Sequence, residues 1–314
     1  MDGDWNIPDI IVLRSLQMHL FDVQWRTQDS ENYEPGLVGW AKNSDEPRFV
    51  RLCPGKAIGW TIRGPRRCIG SVQSTGRRSK CPEKAIVDHG KRRCGPCRAM
   101  DVMDPCIRCD GRECNATEDR VKRCSETNYA VYLAIFNDRT LKVGVSSQRR
   151  LVTRWVEQGA DFGIMIAEVT DGRKARQLEY ALSRSPRVTR QVRTERKTSL
   201  LLKQLRAEEA QSIAQGFLDS VDRHEISHEM TLVDLSRFYG MNELTAEPHL
   251  WRSRGTQLDG LQLLGTVVSM KGPLLVTRIE KSFSVANLND LIGYTIDEDA
   301  DISVISQTGI LDFT

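Results

Sequence analysis

Hydrophobic and polar positions are most regularly patterned between residues 129 and 182. The run Tyr129-Ala130-Val131-Tyr132-Leu133-Ala134-Ile135-Phe136 is rich in β-branched and aromatic side chains and predicts a half-buried strand. Asn137-Asp138-Arg139 reads as a turn, and residues 141–145 as a second, shorter strand. Ser146-Ser147 is placed to cap a helix over 148–158, with Gly159 to end it. A third strand over 162–169 and the turn Asp171-Gly172 lead into a second helix that sets Ala175, Leu178 and Leu182 on one stripe.

Outside this block the periods are shorter. Residues 1–65 carry brief apolar runs at 10–13 and 57–62 broken by Gly and Pro, which predicts a small β-rich unit. Trp5, Trp25, Trp40 and Trp60 fall in it and are read as core, because the segment is acidic. Residues 200–218 have helical spacing. The last stretch alternates strand runs at 261–270, 274–279, 291–296 and 302–305 with turns such as Lys271-Gly272-Pro273. It reads as an acidic β unit that would pack with the N-terminal one. The expectation is a multidomain α+β protein. Its parts are a β-rich unit at 1–65, a cysteine module at 66–125, an α/β domain at 126–200, a helical connector at 201–245 and an acidic β-rich domain at 246–314.

With 314 residues the chain has room for two or three cores. No run approaches the ~20 apolar residues that cross a membrane, and Met1-Asp2-Gly3-Asp4 lacks a basic leader, so a cytoplasmic protein without a membrane partner is expected. The net charge of +3 conceals segregation: residues 51–205 carry +17 and the two flanks together −14. A basic centre suits a polyanion, and acidic flanks suit either folding back onto it or contact with a protein partner.

Eight of the nine cysteines crowd between 68 and 124 as Cys68-x12-Cys81-x12-Cys94-x2-Cys97 and Cys106-x2-Cys109-x4-Cys114-x9-Cys124. Eight thiolates suffice for two closed tetrahedral zinc sites, and a segment this poor in apolar residues needs metal to fold. The preferred grouping is Cys68, Cys81, Cys94 and Cys97 for one ion and Cys106, Cys109, Cys114 and Cys124 for the other. A single ribbon from the two CxxC pairs and a cross-brace are the competitors, and Cys53 is left over as a packed or free thiol. Interleaved arginines and lysines give the module phosphate-binding character.

The order strand, strand, helix, strand, helix with these residues resembles the GIY-YIG nuclease superfamily, most closely its K-[VI]-G branch. Ala130-Val131-Tyr132 stands in the place of GIY and Lys142-Val143-Gly144 in the place of YIG. Arg154 takes the place of the first helix's arginine, and Glu179 that of the metal-binding glutamate. The resemblance implies catalytic roles for Tyr132, Arg154 and Glu179. A phenol would take or orient a water proton, a guanidinium would meet developing phosphate charge, and a carboxylate would hold Mg²⁺ or Mn²⁺. Lys142 replaces the motif's second tyrosine; it can grip phosphate as a point charge but cannot arrange a water as a phenol does. The order of cysteine module, K-V-G domain and acidic C-terminal part also resembles a prokaryotic family designated domain of unknown function 2797. That likeness rests on Arg67-Cys68-Ile69-Gly70, Cys81-Pro82, Cys94-x-x-Cys97 and the block 141–160, and implies architecture without an activity.

Beyond Leu182, Arg184, Arg187, Arg190, Arg193 and Arg196 recur every third residue. In an extended three-fold chain they would lie along one side as a phosphate ladder. His224-Glu225-Ile226-Ser227-His228 matches HExxH, but the carboxylate of Glu229 follows where zinc peptidases keep small or apolar residues. The leading expectation is a zinc-stabilised nucleic-acid-binding protein, RNA ahead of DNA, with Lys142, Arg149, Arg150, Arg154 and the arginine ladder on the phosphates. A divalent-metal-dependent endonuclease and a protein-interaction scaffold are the alternatives.

Overall fold

The computed structural model describes residues 17–27, 29, 32–189, 192, 194–221, 226, 231–252 and 257–298. Trp5, the run 10–13, Arg190, Arg193, the histidines and glutamate of the 224–228 motif and the run 302–305 lie outside these residues. The described residues open with β1 (Gln17–Thr27), β2 (Tyr33–Ala41), β3 (Pro47–Arg51) and β4 (Ala57–Arg63). The cysteine module follows with β5 (Ser71–Val72), β6 (Arg78–Ser79), α1 (Gly95–Met100), α2 (Asp104–Ile107) and α3 (Glu118–Glu126). Next come β7 (Asn128–Ile135), β8 (Leu141–Ser147), α4 (Leu151–Gln158), β9 (Phe162–Thr170) and α5 (Gly172–Leu182). After these lie β10 (Val188–Thr189), α6 (Thr194–Thr198), α7 (Ala207–Leu218) and β11 (Val233–Asp234). Among the described residues there follow β12 (His249–Leu250), β13 (Gln262–Lys271), β14 (Leu274–Ile279), β15 (Ser282–Asn287) and β16 (Thr295–Asp297). The architecture is α+β, and among the described residues no helix is long and apolar enough to cross a membrane.

Residues 1–65 and 246–314, expected as two units, contribute to one nine-stranded sheet of order β12-β15-β14-β13-β4-β16-β1-β2-β3. β4 pairs antiparallel with β13 on one side, Trp60 opposite Leu263, and with β16 on the other, Ile62 opposite Ile296. The basic middle of the chain is therefore an excursion between two hydrogen-bonded neighbours. Trp25, Trp40 and Trp60 are buried in this sheet's core, as the acidic surroundings suggested. A second sheet, of order β10-β8-β7-β9-β11, holds the patterned block, with β7 antiparallel to both β8 and β9.

β7 is covered on both faces, which corrects the half-buried strand read from its alternation. Tyr132, Ala134 and Phe136 join the core of the large sheet together with Trp155 and Val156 of α4. Val131, Leu133 and Ile135 pack on the other side with Ala175, Leu178 and Leu182 of α5 and Phe217 of α7. Ala130 and Ala134, the small members of the run, are as fully buried as their large neighbours, because layers pack on both faces of this central strand. Gly163 in β9 lets α4 sit down on the sheet: a Cβ there would lie 2.3 Å from the Trp155 ring.

Three other boundaries differ from expectation. The helix after β8 begins as a 3-10 turn over Gln148–Arg150 with no side-chain cap from Ser147, while Gly159 does end α4 in the left-handed conformation at φ 68°. The helix expected over 200–218 begins only at Ala207, because Leu200 and Leu201 are buried in a turn instead of continuing its stripe. The run at 291–296 is mostly a 3-10 turn and coil, and β15, which the pattern did not show, carries the edge pairing with β12.

Candidate functional site

The cysteine module places Cys68 after β4, Cys81 after β6, and Cys94 and Cys97 at the start of α1. Their four sulfurs lie within 4.8 Å of one another. Backbone N–H groups of Gly70 and Cys94 donate to the Cys68 sulfur at 3.4 and 3.3 Å. Burial pushes the Cys68 and Cys97 thiols up. Four neighbouring sulfurs in such a setting ionise together only around a cation, so the set can hold a zinc ion in a closed, structural geometry. This is the first of the two groupings expected from the spacing, and it leaves Cys53 outside as a free thiol. Cys106, Cys109, Cys114 and Cys124 do not close to that distance; they line a cavity of about 70 Å³ together with Arg120, Tyr129 and Arg176.

The K-V-G block brings its marked residues together. Tyr132 and Gly144 are cross-strand partners, as are Ala134 and Lys142. Each pair shares a face, and that face looks toward α4. Tyr132 is 1% exposed, meets Trp155 edge-on at 5.9 Å between ring centroids and accepts a hydrogen bond from Gln158 Nε2 at 2.5 Å. Burial raises the phenol pKa; Glu179 adds to the rise, and Arg154 and Gln158 oppose it. Lys142 is pushed down to about 8 by burial and then by Arg154, with Glu179 opposing. Lys197 on α6 is also pushed down to about 8, by burial and then by Lys142, Lys271 and Arg154. Its ammonium donates to the Gln158 carbonyl at 2.6 Å. Glu179 is paired with Arg176 at 2.9 Å. Lys142, Arg154 and Glu179 thus act on one another beside a sealed phenol, and Lys197 reaches Lys142 and Arg154 from α6.

Arg154 also reaches outward, and the other cations are dispersed. Arg150 and Arg154 share Glu157, at 2.7 and 3.4 Å, and remain about half exposed. Arg149 is exposed beside them. Arg184 is exposed in the turn after α5, and Arg187 donates to the Gly216 carbonyl at 2.7 Å. Only Val188–Thr189 is extended and Arg196 sits on α6 paired with Asp138, so the described part of the arginine series is not one continuous three-fold ladder. Val188, between Arg187 and Thr189, packs against the core of the small sheet.

Two clefts meet on β1. One, of about 690 Å³, lies between β1 and β6 and is lined by Arg26, Arg77, Arg78 and Lys80 along with Asp22, Asp45 and Glu46. The other, of about 660 Å³, lies between β1 and α4 and is lined by Arg92, Arg150 and Arg154 along with Asp22 and Glu157. Asp22 and Gln24 border both, so the two adjoin on β1 as a two-part trough between the cysteine module and the K-V-G block. Nothing in the spacing brings Lys197 against Lys142, from which it lies 55 positions away, whereas Arg78 and Arg92 are among the interleaved cations from which phosphate-binding character was expected of the module. Gln158 was accessible in principle, four residues after Arg154 on one helix face.

No curated protein and no solved structure matches the chain. A family model described as a protein of unknown function (DUF2797) matches residues 55–296, more than half of the chain. The match runs from just before β4 into β16, two strands that are neighbours in the large sheet, and so takes in the whole excursion between them. The chain belongs to the DUF2797 family of proteins of unknown function.

Proposed function

We propose that the protein binds nucleic acid along the trough that joins the cysteine module to the K-V-G domain, with RNA the favoured ligand and zinc holding the module in shape. The observation that carries this reading is the trough itself, with seven arginine and lysine side chains contributed by β1, the module, and α4 with the 3-10 turn before it. Extended, interrupted basic surface of this kind suits a chain of phosphates better than a small anion. The domain is read as GIY-YIG-like on its strand and helix order and on the meeting of Tyr132, Lys142, Arg154 and Glu179. Cys106, Cys109, Cys114 and Cys124 are read as the ligands of a second zinc ion.

Binding is favoured over cleavage by the state of Tyr132. A phenol sealed by Trp155 and Gln158, with its pKa raised by burial, is poorly placed to accept a proton from water. Glu179 beside Lys142 and Arg154 is the observation that keeps an endonuclease with Mg²⁺ or Mn²⁺ at Glu179 as the second reading. The test is titration of labelled single-stranded RNA and DNA across a salt series. Log affinity should fall linearly with log salt, and Arg154→Ala should lower the slope by about 1. Affinity indifferent to salt refutes the proposal. Metal-dependent cleavage that is lost in Glu179→Ala would replace binding by catalysis.

A further inference from the structure

The second set of cysteines repeats a local device of the first. Cys109-Asp110-Gly111 is folded as Cys68-Ile69-Gly70 is: the glycine has positive φ, 68° at Gly70 and 86° at Gly111. In each case it turns its N–H onto the sulfur two residues back at 3.4 Å. At Cys68 that turn serves a sulfur of the closed four-cysteine set. Two more donors face the second set, the Arg120 guanidinium on the Cys106 sulfur and the Tyr129 hydroxyl on the Cys124 sulfur, both at 3.7 Å. Donors of this kind stabilise thiolates. The four residues border one cavity of about 70 Å³.

The same loop is fastened to α5. Gln177 Nε2 donates to the Gly111 carbonyl and the Arg173 guanidinium to the Arg112 carbonyl, both at 2.9 Å. At the helix start the packing is tight enough that a Cβ on Gly172 would stand 2.5 Å from the Cys124 sulfur. Arg176, which borders the cavity, is the residue that grips Glu179. The cysteine set and the carboxylate are thus at two points along one short helix.

We propose that Cys106, Cys109, Cys114 and Cys124 bind a second thiophilic divalent cation, zinc, and that this ion seats α5 and thereby positions Glu179. Zinc–sulfur bonds of about 2.3 Å would draw the four sulfurs inward to about 3.8 Å from one another, each ligating thiol giving its proton to solvent. The contraction tightens the 109–112 loop against the first turns of α5. Glu179 is a positioned residue in this scheme, and only its use at a phosphate rests on the function proposed above; the ion and the seating of the helix stand apart from it.

The experiment combines elemental analysis of the full chain with hydrogen exchange of the segment 172–182. Wild type should hold two zinc ions, and Cys109→Ser with Cys114→Ser should hold one. Exchange in 172–182 should rise at least tenfold in the variant, with the β4 and β13 segments unchanged. One zinc ion in wild type overturns the site. Two ions against one with equal exchange in 172–182 overturns the coupling. Graded removal of zinc from wild type by a chelator repeats the test without substitution: exchange in 172–182 should follow one ion and that in 66–100 the other, and a single step for both overturns the assignment. A failure to bind RNA or DNA leaves these readouts untouched.

Discussion

Gly144→Ala tests the packing around Tyr132. A Cβ at position 144 would stand 2.5 Å from Tyr132 Cζ and Oη and 2.9 Å from Cε2, whereas ordinary contacts begin at 3.4 Å, so relief requires a shift of about 0.9 Å. The ring has nowhere to take it. Trp155 meets it edge-on, Gln158 holds its hydroxyl at 2.5 Å, and it is 1% exposed. Overpacking a filled core by one methyl costs about 1–3 kcal/mol, and a broken buried hydrogen bond costs about 1 kcal/mol more. Denaturant unfolding followed by circular dichroism should show a lower midpoint at unchanged slope. In a Tyr132→Leu background the clashing ring atoms are gone, and the same glycine substitution should cost less than about 0.5 kcal/mol, a coupling that a double-mutant cycle measures directly. An unchanged cost in that background, or none in the wild type, refutes the account of the KVG glycine as the floor under Tyr132.

Lys142 and Lys197 deprotonate near pH 8 in the folded chain against 10.5 for a free lysine, so between those values the unfolded state binds more protons and stability should rise with pH. Nucleic-acid affinity should move the opposite way, falling as pH passes 8. Lys142→Arg should keep affinity to higher pH, and a flat affinity profile from pH 7 to 9 would remove Lys142 from the phosphate contacts expected of it. Lys271 and Asp161 form a buried ion pair whose side chains are 8% and 6% exposed. Lys271→Met should destabilise by about 3–5 kcal/mol at neutral pH. Burial already raises the Asp161 carboxyl, and losing Lys271 removes the charge that opposes this, so the loss should shrink as the pH is lowered; a pH-independent loss contradicts this.

What the residues spelled out locally was legible. The spacing of Cys68, Cys81, Cys94 and Cys97 named a ligand set that the fold closes to within 4.8 Å. Periodicity placed the strands and helices from β7 to α5, and the turn Lys271-Gly272-Pro273 between β13 and β14. These signals lie within a few turns or one hairpin, where spacing and backbone preference decide the outcome. Cys106, Cys109, Cys114 and Cys124 have equally suggestive spacing and border one cavity, but the fastening of their loop to α5 is a contact that spacing does not show.

Sequence by itself therefore determined the elements of the middle of this chain, its concentration of positive charge and its first cysteine cluster. Tertiary structure alone decided that β16 enters between β4 and β1, that β7 is covered on both faces, and that Lys197 comes up against Lys142 and Arg154. Each of these is a contact between residues far apart in the chain. Its free energy comes from apolar surface and charge that either element could have presented to several partners, and only the assembled layers select one.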